Sequence, residues 1–498
     1  MIASFLFGVG LVLLISNDIM ISRENHWKSL THRLIPLTLL LLITLISLIV
    51  SIAYTNKAGM ICFLAITSTV VIVYILASTK HLLFLAVTSM ILAISPFVSF
   101  AKSPWIYNMW WFLLLILFVH RAKYDEHKID YPSMKIFLIF GFLYFLWACF
   151  SFLFSPVQDS KTVFKIFGVA SQLLFIVLLV GNTKTMNDVL ALATGFLVGF
   201  LIIATLMLKS MLEMMSSLNA ILLMAIGFRA SVGEISPNII TVPILITFII
   251  ALSFAKKSSG YMKYIFILIT LSALFLIVSS GSRAMILVVL LVTPYLMSFT
   301  KKAYRNTLFV LAGFALLVFT FYTLNQSIAE SLLRLNSIAS GSGRILIWEN
   351  SLELIRSSPI IGTGPNSSMI LLQQEVNQFS SGSTRWTGGR AHNVFINEAI
   401  DTGLVGVTLF LLFHIGLFVW ISRMVPDKKS PWRVAAFGVL AGFLIRGFFE
   451  ANDLLLSPDK LKTAYAPIVS IVLAVGYRIQ VSRSEDRSRS NFRKENVS

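Results

Sequence analysis

Residues 389–422 read GRAHNVFINEAIDTGLVGVTLFLLFHIGLFVWIS. The opening is polar and basic, with Arg390, His392 and Asn393, and it leads into a helix that reaches Gly403. Residues 402–422 hold no charged side chain and are long enough to cross a hydrocarbon core as a helix. His392 stands eleven residues ahead of Gly403, three helical turns, so a continuous helix would carry both on one face. The stretch therefore joins the end of a long polar excursion to a membrane span. The rest of the chain repeats the apolar half of that pattern.

The 498 residues are 57% hydrophobic and only 12% charged, with a mean hydropathy of +0.85. Soluble proteins carry about 25% charged residues, so this is a polytopic membrane protein. An all-α scaffold is expected: helices satisfy their own backbone in lipid, and no alternating ten-residue barrel strands occur. The formal net charge of +18 does not indicate nucleic acid. The basic residues punctuate apolar runs without forming a patch interleaved with aromatics, and read as topology signals. Cys62 and Cys149 lie singly in apolar runs and support neither a disulfide framework nor a metal site.

Apolar runs that can span fall near 1–21, 34–54, 58–79, 82–100, 104–119, 134–154, 163–181, 187–208, 237–255, 261–279, 283–299, 306–325, 402–422, 433–450 and 464–481. Short or closely spaced runs bring the expected number to about 12–15 transmembrane helices. The first run lacks a basic leader and a small-residue cleavage site, and reads as a retained span. One alternation puts the basic segments 23–33, 80, 121–135, 184, 256–263, 301–305, 423–433 and 478–494 on the cytoplasmic side. Together they hold 25 of the 40 Lys and Arg.

Four regions follow. Residues 1–325 are a transmembrane region with an external loop near 209–238. Residues 326–401 are a large external loop with its own helical pattern at 345–355, residues 402–481 are C-terminal spans, and residues 482–498 are a basic cytoplasmic tail. The Arg- and Ser-rich tail reads as disordered. A loop as long as 326–401 is a functional segment or a small subdomain.

Four polar constellations fall on the external side. They are Arg229-Ala230-Ser231-Val232-Gly233 with Ser236-Pro237-Asn238, Ser279-Ser280-Gly281-Ser282-Arg283, Gly341-Ser342-Gly343-Arg344, and Arg390-Ala391-His392-Asn393. Arginine offers a fixed fork that matches phosphate oxygens, whereas histidine is the side chain whose ordinary pKa suits a base near neutral pH. His392 and Asn393 precede a helix whose positive end favours an anion. Such a set suits transfer of a sugar from an anionic, lipid-linked donor, without a metal, since no external cluster is rich in oxygen ligands. Each residue also has a plainer role. Arg283 can anchor an interface by snorkelling, Arg344 can be an ordinary loop arginine, and His392 a helix-start hydrogen bonder. Gly403, Gly406 and Gly416 read as helix-packing positions. Arg446 and Glu450, spaced i,i+4 in an apolar segment, read as an ion pair or as a proton or substrate site.

At these residues the chain resembles the O-antigen ligase and polymerase superfamily of bacterial polysaccharide assembly. The likeness rests on Ser282-Arg283 with Leu287 (an RxxxL pattern), Gly343-Arg344 with Trp348, Pro359-Ile360-Ile361-Gly362-Thr363-Gly364, Ala391-His392-Asn393, and Gly403-Leu404-Val405-Gly406. It covers about residues 229–420. The resemblance implies a C-type glycosyltransferase-like, all-helical fold that takes an undecaprenyl-diphosphate-linked glycan without metal or other cofactor. It also implies that Arg283 and Arg344 hold the diphosphate and that His392 activates the acceptor hydroxyl. Arg229, before a Pro-Asn pair, Arg390 and Asn393 are candidate substrate-binding residues. Expected partners are the lipid-linked glycan, a saccharide acceptor (a growing chain or lipid A–core) and membrane lipids, with no nucleic acid. The expected setting is the outer face of the bacterial cytoplasmic membrane. Nothing in the sequence separates polymerase from ligase; polymerases are the more numerous and varied, and a polymerase is the expected member. A transporter or flippase of lipid-linked sugars is the alternative.

Overall fold

A computed structural model of the chain describes residues 132–158, 160–215, 237–280, 282–297, 344–379, 391–450, 455 and 465–495. The expected spans before residue 132 and at 306–325, together with Arg229, Arg385 and Arg390, lie outside the described residues. Among the described residues there are eleven helices and no strand. We number them α1 (Lys135–Leu153), α2 (Ser160–Asn182), α3 (Met186–Met215), α4 (Pro237–Ala255), α5 (Gly260–Ser279), α6 (Arg283–Met297), α7 (Arg344–Ser357), α8 (Ser368–Phe379), α9 (Val394–Met424), α10 (Pro431–Gly447) and α11 (Tyr465–Glu495).

The chain divides into two compact units. Within the described residues the first comprises 177–199, where α2 hands over to α3. A reciprocal cap makes that turn: Asp188 Oδ2 accepts from the Thr185 amide at 2.7 Å, and the Asp188 amide donates back to Thr185 Oγ1 at 3.3 Å. The second unit comprises residues 129–176 and 200–498 and carries all that follows.

Its centre is an antiparallel pair, α1 and α9. At one end Trp420 Nε1 donates to the Pro132 carbonyl at 2.9 Å, and Phe137 meets Phe413 and Trp420 edge-on. Gly416 lets the backbones close there: a Cβ on it would stand 3.1 Å from Phe137 Cα. At the other end Ser151 Oγ donates to the Asp401 carbonyl at 3.1 Å. α10 returns antiparallel along α9, from Arg433 on the Val425 carbonyl, through Phe437 on Phe418 and Phe443 stacked on His414, to Gly447 against Val394. The other face of α10 receives α4 and α6, with Gly438 and Gly442 against Ile249, Val288, Val292 and Leu296. α11 is tied to α10 by Ser470 Oγ on the Ala436 carbonyl. His414 stays inside this packing, its Nδ1 2.8 Å from the Phe410 carbonyl oxygen, and lies away from the site below.

The surface repeats the message of composition. α1 turns Ile139, Phe142, Leu146 and Phe150 outward, and α5 turns Tyr264, Leu268, Leu271 and Phe275 outward. Polar Gln172, Thr241 and Ser470 are buried instead. That inversion suits a lipid surrounding. Four of the described helices are long and apolar enough to cross a membrane. Two expectations change. The tail, expected to be disordered, continues α11 to Glu495: extending a formed helix is easier than nucleating one, and Glu485 and Arg489 are spaced to pair. The helix that starts after His392 does not run unbroken through Gly403, where its backbone is non-helical.

Candidate functional site

The end of the bundle where α1 finishes and α9 begins is built around an interruption. α9 breaks at Gly403, whose backbone is left-handed (φ 70°, ψ −176°). A break in a buried helix releases backbone groups, and each needs a partner. They find partners in the loop after α7 and in α1. The Ile400 carbonyl accepts from the Thr363 amide (2.7 Å) and hydroxyl (3.0 Å). The Asp401 carbonyl accepts from the Gly364 amide (2.9 Å) and Ser151 Oγ (3.1 Å). The Thr402 carbonyl accepts from Trp147 Nε1 (2.8 Å), and the Leu404 amide donates to the Pro359 carbonyl (2.8 Å). The segment Pro359–Gly364 is thus stitched into the gap like a short added strand.

Close approach explains the glycines of that segment. A Cβ on Gly362 (φ +78°) would stand 2.5 Å from the Gly403 amide nitrogen, and one on Gly403 would overlap the Ile360 carbonyl. Gly403 is therefore not a helix-packing position but the point of fracture. His392 and Gly403 accordingly do not share the face of a continuous helix. Gly416, by contrast, packs as its sequence setting suggests.

His392 sits just before α9 in the left-handed region (φ 50°), unusual for a residue with a Cβ, and is partly buried. Its neighbours hold it there. Trp348 Nε1 donates to the Ala391 carbonyl at 2.8 Å, and the Ala391 amide donates to Asn397 Oδ1 at 3.0 Å. Asn393 caps α9, its Oδ1 accepting from the amides of Phe395 (2.9 Å) and Ile396 (3.2 Å). Beneath the hinge, Ile347, Leu372, Ala391 and Ile400 form a small apolar core that joins α7, α8 and α9. The backbone on either side of His392 is therefore held by side chains of α7 and α9.

Arg344 is the first residue of α7, one turn before Trp348, so its backbone enters within a turn of the hinge. Arg283 is the first residue of α6, after the short turn from α5 that ends with Ser282 bonded to Ser280. α6 runs beside α10, and α10 ends on Val394. α10 thus touches α6 through Val288, Val292 and Leu296 and the start of α9 through Val394, while α7 reaches the His392 turn through Trp348.

Two buried carboxylates at this end went unread in the sequence. Glu398 Oε2 accepts from Tyr144 at 2.7 Å and from Thr402 at 3.1 Å, and the Tyr144 oxygen also receives the Leu455 amide at 3.3 Å. Asp401 Oδ1 accepts from the Ser368 amide at 2.7 Å, capping α8 from another helix. Acidic residues at the head of an apolar run are the signal that marks both positions. Nearby, Lys165 of α2 donates to Asn366 Oδ1 at 2.8 Å and braces the loop. Arg446 and Glu450, read as lying inside an apolar span, sit at this same end, in the last turn of α10 and just past it.

Residues 266–411 match the family model described as O-antigen ligase. The matched segment runs from α5 into α9 and contains Arg283, Arg344, His392, Asn393 and Gly403. The exopolysaccharide production protein ExoQ of Rhizobium meliloti (strain 1021) is 29% identical over 122 residues, 23% of this chain. The chain spans about a quarter, 27%, of the length of that curated relative. Both matches support the resemblance to the O-antigen ligase and polymerase superfamily.

Proposed function

We propose that this chain, similar over its central segment to O-antigen ligases, is a membrane glycosyltransferase of polysaccharide assembly. It moves a glycan from an undecaprenyl-diphosphate-linked donor to a saccharide hydroxyl at the outer face of a bacterial cytoplasmic membrane. The observation that supports the reading is the family match over residues 266–411, which holds Arg283, Arg344 and His392, with His392 in a restrained turn that α7 ties down through Trp348.

The chemistry follows from those residue types. Arg283 and Arg344 hold the diphosphate, and their charge stabilises it as a leaving group without a metal. His392 takes the proton of the acceptor hydroxyl. The acceptor oxygen bonds to the anomeric carbon, the bond from that carbon to the diphosphate breaks, and undecaprenyl diphosphate departs. Arg229, Arg390 and Asn393 complete the substrate-binding set. We favour a repeat-unit polymerase over a ligase. The transporter alternative would use the Arg446 and Glu450 pair within the span, but that pair lies at the end of α10. The test is glycan transfer in membranes at matched protein levels. His392→Ala should abolish it, and transfer at the wild-type rate would remove His392 from the role of base.

A further inference from the structure

The stripe of α10 that faces α4 and α6 ends in a charge. A Cβ on Gly438 would meet Leu296 and Ile249, and one on Gly442, a turn later, would meet Val288. The contacts thus climb α6 toward its start as α10 advances. Arg446 is the next residue on that stripe, at i+4, and helical periodicity carries the stripe on toward the first turn of α6, where Ala284 and Met285 are buried. One residue on, Gly447 touches Val394, and Phe448 lies 4.6 Å from Phe395, ring centre to ring centre. Arg446 thus lies on α10 between Gly442, which meets α6, and Gly447, which meets the start of α9.

It is 2% exposed, and Glu450, also buried, is the charge that faces it. Packing alone does not call for this arrangement. An apolar pair of similar volume would fill the space without desolvating two charges, so their presence points to use.

We propose that Arg446, steadied by Glu450, is a further binding residue for the diphosphate of the lipid-linked donor. The inference rests on the glycosyltransferase reading above. Arg446 shares the leaving group with Arg283 and Arg344 from the α10 side, and Glu450 keeps its fork aimed along the stripe while the site is empty.

The test uses the purified full chain in detergent and two probes, undecaprenyl diphosphate and undecaprenol. A double variant, Arg446→Met with Glu450→Leu, removes both charges together and leaves no buried ion unpaired. It should keep the wild-type thermal midpoint and bind undecaprenyl diphosphate at least about tenfold more weakly, with undecaprenol binding unchanged. In transfer assays the donor KM should rise by a similar factor with kcat within about threefold, the signature of lost uniform binding. The acceptor KM should not move. Should the double variant fail to fold, Arg446→Lys decides: the point charge lacks the fork, so diphosphate binding should still weaken. Wild-type affinity for undecaprenyl diphosphate in either variant, or a rise confined to the acceptor KM, overturns the assignment. Failure of the wild-type protein to bind undecaprenyl diphosphate or to form a glycosidic bond would instead overturn the glycosyltransferase reading.

Discussion

At the scale of single residues, His392 combines a reactive ring with a left-handed backbone. The two properties separate under substitution. Left-handed backbone costs a residue with a Cβ roughly 1–2 kcal/mol, and glycine avoids that cost. His392→Gly should therefore fold with a thermal midpoint equal to or above wild type while losing glycan transfer. An active glycine variant would show that the position matters for its backbone alone. The arginines divide by placement. Arg283 is the first residue of α6, and on the proposed reading it holds the lipid-borne diphosphate, so even Arg283→Lys should be strongly impaired, because a point charge lacks the bidentate fork. Arg385 belongs to the water-exposed loop of the sequence reading, and Arg385→Ala should cost far less, since salt screens exposed charges. Transfer rates in membranes compare the two directly, and full activity in Arg283→Lys would move the diphosphate site elsewhere. The order Arg283, Arg344, His392 was legible in the sequence because arginine and histidine are conspicuous against apolar neighbours. Glu398 and Asp401 were equally conspicuous. Their partners Tyr144 and Ser368 are chosen by tertiary packing, so their roles were not legible.

At the scale of elements, the fracture of α9 is the feature that hydropathy could not convey. Its partners come from Trp147 and Ser151 on α1 and from Pro359, Thr363 and Gly364, none of them near Gly403 in sequence. The motif Pro359-Ile360-Ile361-Gly362-Thr363-Gly364 was visible as a string, yet its task, pairing with an open helix, exists only once the chain is folded. Gly403→Ala should cost at least about 1–2 kcal/mol from backbone conformation, before the overlap with the Ile360 carbonyl is counted. The same change at Gly416, a packing glycine with an ordinary backbone, should cost less. Thermal unfolding of the purified variants measures both, and equal midpoints would mean that Gly403 is not strained. Asp401→Ala removes the acceptor that caps α8 and should destabilise by about 0.5–2 kcal/mol.

At the scale of the whole molecule, the apolar runs read from hydropathy within the described residues return as helices α1 to α6 and α9 to α11, four of the described helices being long and apolar enough to cross a membrane. On the proposed reading this membrane bundle makes a glycosidic bond and does not merely move a lipid-linked sugar. The direct measurement reconstitutes the purified full chain in vesicles with a lipid-linked glycan and a saccharide acceptor, and follows both the acceptor product and the leaflet of the lipid. Wild-type protein should form a new glycosidic bond with release of undecaprenyl diphosphate, and the folded His392→Gly variant should form none. Movement of the lipid between leaflets with no new bond would contradict it.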